Sequence, residues 1–126
     1  MMDLQRIQRE IRQAIEHFPN TEAYPTGAGG LYVKTAMQTS IGKIYVLSIT
    51  FDGYPSAMPK IAFVQPDISH WKHRYDNGNM CYMHPNMWNP GLHDLKFVLQ
   101  QAAVWLNKHE VYSQTQRWPG PQLKHN

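Results

Sequence analysis

The apolar positions Leu4, Ile7, Ile11, Ile15 and Phe18 recur at three- and four-residue steps. That spacing aligns side chains along one face of an α-helix. Asp3 stands where an N-cap belongs and Pro19-Asn20 stops the chain from continuing, so a first helix is predicted between them. Arg6, Arg9, Glu10, Arg12 and Glu16 fall on its other face, which reads as solvated or as a docking surface. The pattern then changes period. Residues 19–30 hold Pro19, Pro25, Gly27, Gly29 and Gly30 and read as a connecting loop. Leu31 to Gln38 and Lys43 to Phe51 read as strands joined around Ser40-Ile41-Gly42, with Tyr45, Leu47, Ile49 and Phe51 alternating onto one face. Asp52-Gly53-Tyr54-Pro55 is a turn, and Lys60 to Val64, after Pro59, is a third strand. Short connections predict an antiparallel meander whose apolar face needs a helix over it.

Beyond Gln65-Pro66 the chain loses all periodicity for about twenty-five residues, a length that in a compact domain usually marks function. Asn89-Pro90 then offers a cap and a first-turn proline for a second helix. Its stripe is Leu92, Leu95, Val98, Leu99, Ala102 and Leu106, and it ends near Tyr112. The expected fold class is α+β: helix, three strands, long loop, helix. One domain over residues 1–116 is expected, followed by a Pro-rich polar tail over 117–126 in which Trp118 is placed to tie down onto the body.

Composition narrows the function. The chain has 126 residues, enough for a core without disulfides or metal, and its single cysteine precludes an internal disulfide. With no membrane-spanning apolar run and an amphipathic start in place of a signal peptide, a cytoplasmic protein is expected. The net charge of +3 is mild and its Lys and Arg are scattered, which argues against nucleic-acid binding.

The lone cysteine, Cys81, sits in Tyr75-Asp76-Asn77-Gly78-Asn79-Met80-Cys81-Tyr82-Met83-His84-Pro85-Asn86-Met87-Trp88-Asn89-Pro90. Turn-forming residues surround it, so a surface loop and a reactive thiol are expected, against the alternative of an inert packed thiol. A second alternative is a zinc site: His70, His73, Cys81 and His84 form H-x2-H-x7-C-x2-H, a possible tetrahedral ligand set.

Four segments in order make the chain resemble a ubiquitin-conjugating enzyme, over about residues 3 to 108. They are the basic amphipathic opening from Leu4 to Ile11; Phe51-Asp52-Gly53-Tyr54-Pro55-Ser56-Ala57-Met58-Pro59-Lys60-Ile61-Ala62-Phe63; Asn77-Gly78-Asn79-Met80-Cys81; and Trp88-Asn89-Pro90. The departures are specific. The family's His-Pro-Asn lies upstream of its cysteine, whereas His84-Pro85-Asn86 lies downstream, and the position eight before Cys81 is His73. Ser56 stands where many members carry a bulky ligase-docking residue, and the two C-terminal helices of the eukaryotic enzymes are absent from the pattern. The closest likeness is to compact bacterial relatives in ubiquitin-like conjugation or antiphage nucleotide-cyclase operons.

The resemblance implies a transferase without cofactor or metal, carrying a ubiquitin-like C-terminus as a thioester on Cys81 and passing it to an amine on a target protein. A thiol suits that exchange because it is nucleophilic near neutral pH and close in energy to its thioester. The oxyanion formed on transfer needs a placed donor: His73 from its position, with Asn77 and Asn79 next. His84 is a candidate to orient or deprotonate Cys81 or the amine, and His109 and Glu110 are further candidates for the amine. Trp88 is expected to pack under the loop. Partners implied are an activating enzyme on Arg6, Arg9 and Arg12, the ubiquitin-like protein and the acceptor. A non-catalytic module of the same fold, binding a ubiquitin-like partner, is the remaining alternative.

Overall fold

The structure is a computed structural model and describes residues 3–66 and 79–119. Its α+β order is α1 (Leu4–His17), β1 (Thr21–Pro25), β2 (Leu31–Gln38), β3 (Ile44–Thr50), β4 (Lys60–Gln65), a 3-10 turn (Pro85–Met87) and α2 (Leu95–Thr115). Among the described residues no helix follows α2. The strands form one antiparallel sheet in the order β1-β2-β3-β4. Alternation does what the pattern predicts: Tyr45, Leu47, Ile49 and Phe51 are buried together with Val33, Ile61 and Phe63. Ile7, Ile11, Ala14, Leu95, Val98, Leu99, Ala102 and Leu106 join them in one core, so both helices contribute to it. Each Leu or Ile fully buried there stabilises the fold by ~1.5–3 kcal/mol.

The sheet has one strand more than the expected three. Thr21–Pro25, expected as loop, pairs with β2 in the register Glu22↔Lys34 and Tyr24↔Tyr32. No large apolar alternation announces this strand. It is held by ladder bonds, by a buried hydroxyl pair between Thr21 and Thr35 at 2.9 Å, and by Tyr24 stacked on Tyr32 at 5.4 Å.

The second helix begins five residues later than Asn89-Pro90 would place it after its cap. Asp94 is the N-cap, its carboxylate accepting from the Phe97 N–H at 2.9 Å. Asn89 instead closes a tight turn: its carbonyl accepts the Leu92 and His93 N–H groups, and its Oδ1 accepts that of Gly91. Leu92 therefore leaves the core stripe and is 77% exposed. In α1, Leu4 and Ile15 are likewise exposed, while Glu10, expected on the polar face, is buried.

Glu10 is buried because it has partners from three separate elements. Its Oε1 accepts from the Tyr54 hydroxyl and from the Leu95 N–H at 2.9 Å, and its Oε2 pairs with Arg6 Nε at 2.5 Å. Arg6 also donates to the His93 carbonyl at 2.8 Å and lies over the Tyr54 ring. Leu95 opens α2, so Glu10 satisfies one of the orphan amides at a positive helix end. The network joins α1, the turn before β4 and the start of α2. In that turn Gly53 has φ +74°, and an added Cβ would meet Ala57 at 3.3 Å.

Candidate active site

Cys81 is reached by an edge contact. The Met80 N–H donates to the Ile61 carbonyl at 2.8 Å, and the Tyr82 hydroxyl donates to the Pro59 carbonyl at 2.5 Å. Both residues flanking the cysteine are thus pinned to the start of β4. Met80 and Tyr82 are buried in the core cluster, while Cys81 is 3% exposed and lies outside that cluster. The expected surface loop is corrected here: hydrogen bonding to a strand edge and two core side chains override the turn-rich local composition. Cys81 is a covered thiol, held between two core anchors.

The predicted companions are partly placed. Asn79 is half-buried, two residues before the thiol. His84 is half-buried at the cap of the 3-10 turn, and its Nδ1 accepts from the Asn86 N–H at 3.1 Å, which gives that nitrogen a structural task. His73 and Asn77 lie outside the described residues, as does His70 of the zinc alternative. Among the described residues no three His, Cys, Asp or Glu side chains gather into a metal-binding group.

His109 and Glu110 belong elsewhere. Glu110 Oε1 accepts from the Thr39 and Tyr45 hydroxyls at 3.2 and 3.0 Å, and His109 stacks on Trp105 at 5.5 Å. Ile49 pairs with Ile61, beside the Met80 anchor, and Tyr45 lies four residues away along β3. At ~3.4 Å rise per residue this is ~14 Å from the thiol's anchor. The two residues are structural here. Burial lowers the pKa of His109, with the Glu110 carboxylate opposing that shift. Burial, then the bonds to Glu110 and Glu10, hold the Tyr45 and Tyr54 phenols well above their ordinary values, so both remain donors.

Trp88, expected under the cysteine loop, packs onto the turn before β4. Its Nε1 donates to the Pro55 carbonyl at 2.7 Å, and its ring packs against Tyr54 and His93. Trp118 packs on Trp105 and Tyr112. Arg9 and Arg12 are exposed, but Arg6 is not part of a free basic face, being committed to Glu10 and the His93 carbonyl. The inward turn of Arg6 and Glu10 is the feature that helical periodicity missed. Their i,i+4 spacing was the available signal.

An N-terminal helix, an antiparallel meander, a cysteine segment on the edge of β4 and a covering helix define a compact α+β fold of the ubiquitin-conjugating type. The chain belongs to the type II CBASS E2 protein family, whose family model matches residues 9–126. That family is E2-like and bacterial, with a role in antiphage signalling. No curated protein and no solved structure matches the chain. No helix among the described residues is long and apolar enough to cross a membrane.

Proposed function

We propose that the protein carries a ubiquitin-like or other protein C-terminus as a thioester on Cys81 and transfers it to an amine of a target protein in bacterial antiphage defence. The observation that carries this reading is the pinned Met80-Cys81-Tyr82 segment in a chain of the type II CBASS E2 family. The Cys81 thiolate attacks the thioester carbonyl on an activating enzyme; the new C–S bond forms and the enzyme's thiolate leaves. An amine then attacks the Cys81 thioester, loses a proton, and releases the Cys81 thiolate. His73, Asn77 and Asn79 are the proposed oxyanion donors in that second step. A cysteine residue that is only 3% exposed needs its cover displaced before a protein thioester reaches the thiol, so partner docking and thiol exposure are coupled.

The test is incubation with the cognate activating enzyme, ATP and the ubiquitin-like protein. The expected product is an adduct cleaved by thiol reductant in the parent protein. In Cys81→Ser it becomes reductant-resistant and base-labile, or is absent. A reductant-sensitive adduct persisting in Cys81→Ala overturns the assignment.

A further inference from the structure

The cysteine segment is strapped to the chain before it by ties of unlike kind. The Met80 N–H donates to the Ile61 carbonyl at 2.8 Å, the Tyr82 hydroxyl to the Pro59 carbonyl at 2.5 Å, and the Trp88 Nε1 to the Pro55 carbonyl at 2.7 Å. A main-chain donor such as that of Met80 is available to any residue except proline. The Tyr82 tie depends on one phenolic oxygen. A phenylalanine ring would fill the same place in the core cluster, so packing alone does not account for a hydroxyl on a residue 6% exposed. A buried hydroxyl costs free energy unless it is bonded, which commits this one to its acceptor.

Cys81 lies directly between Met80 and Tyr82 and is covered, although it stands outside the core cluster. On its upstream side the main chain is held at Ile61, and Trp88, beyond the 3-10 turn, holds the far end of the segment at Pro55. Breaking the Tyr82 tie therefore loosens the chain at the cysteine while both ends stay anchored, which is a local opening. We infer that Tyr82 is a positioning residue for Cys81: its hydroxyl bond to Pro59 keeps the thiol covered, and release of that bond uncovers it for acyl transfer. The inference rests on Cys81 being the acyl carrier, and it names the contact that gives way when the cover is displaced.

The unloaded protein tests it. A small aromatic disulfide, dithiobis-nitrobenzoate, reports exposure: the Cys81 thiolate attacks one sulfur, a mixed disulfide forms, and one coloured thionitrobenzoate leaves. With a single cysteine in the chain, the absorbance follows Cys81 alone. Tyr82→Phe, which keeps the ring, is expected to label ~2–13-fold faster, the factor that one net hydrogen bond represents. In the pH profile the plateau should rise by that factor while the midpoint stays, since exposure changes and charge does not. A purely structural loss would speed labelling only through global unfolding, whose contribution climbs steeply with urea; local release leaves the rate nearly flat in dilute urea. A Tyr82→Phe plateau no higher than the parent's overturns the inference. So does parent labelling that rises with urea in step with unfolding, a measurement that needs no variant. Neither arm uses an activating enzyme, so the two hypotheses fail separately. A protein that never accepts an acyl group leaves the labelling result standing, and an acyl carrier whose thiol is indifferent to Tyr82 refutes only the positioning role.

Discussion

Replacing Glu10 by Ala should cost the protein a large part of its stability. Glu10 is 4% exposed and accepts from Tyr54, Leu95 and Arg6. Without it, the buried Tyr54 hydroxyl and the first amide of α2 lose their acceptor, at ~1–3 kcal/mol for each buried group left unsatisfied. Arg6 loses its counter-ion as well. Breaking a buried ion pair costs ~3–5 kcal/mol, but the Arg6 side chain is 20% exposed, so water recovers part of that and the lower end applies. These losses overlap, and better helix propensity returns only a few tenths of a kcal/mol. The expected total is ~3–4 kcal/mol, a substantial share of the ~5–15 kcal/mol typical of a folded domain. Glu10→Gln, which keeps the shape and one acceptor but loses the charge, should cost ~2 kcal/mol, because charge-assisted bonds are about twice as strong as neutral ones. Tyr54→Phe should cost less again, since its ring still packs on Phe51 and Trp88 and the carboxylate keeps two donors. Urea unfolding followed by tryptophan fluorescence measures all three. A Glu10→Ala midpoint within ~1 kcal/mol of the parent would refute the network as a tie between α1, the turn before β4 and α2.

The remaining expectations use the same protein preparations. Arg9→Glu with Arg12→Glu should slow Cys81 loading, with the difference from the parent shrinking as salt rises, while moving stability by no more than ~0.5 kcal/mol; Arg6→Glu should instead unfold more easily, because it places a second carboxylate against Glu10. His109, whose folded pKa lies below its ordinary value, binds a proton more readily in the unfolded chain. Stability should therefore fall as pH drops from ~6.5 toward the folded pKa, by up to ~1.4 kcal/mol per pH unit, and unfolding curves for His109→Phe, which keeps a flat ring beside Trp105, should lack that slope. For the proposed donor, His73→Ala should load Cys81 at near the parent rate yet discharge it to free lysine ~10²–10³ more slowly. Equal single-turnover discharge rates would move the role to Asn77 or Asn79.

Much of the fold was legible because it depends on periodicity. The Ile7-Ile11 stripe, the Tyr45-Leu47-Ile49-Phe51 alternation and the Val98 to Leu106 face each bury what their spacing aligns, whatever they pack against. The position of the cysteine between a meander and a helix followed from order along the chain. Tertiary structure decided what depends on a partner distant in sequence. Arg6 and Glu10 read as solvated because helix periodicity shows only that they lie off the main stripe; their burial needs Tyr54, His93 and Leu95, 44 to 87 residues away. Thr21–Pro25 is a strand because β2 supplies its ladder, and Asn89-Pro90 ends in a turn because Asp94 caps the helix instead. Cys81 is covered for the same reason. A strand edge and two core anchors can bury a segment whose own residues, read alone, belong on the surface.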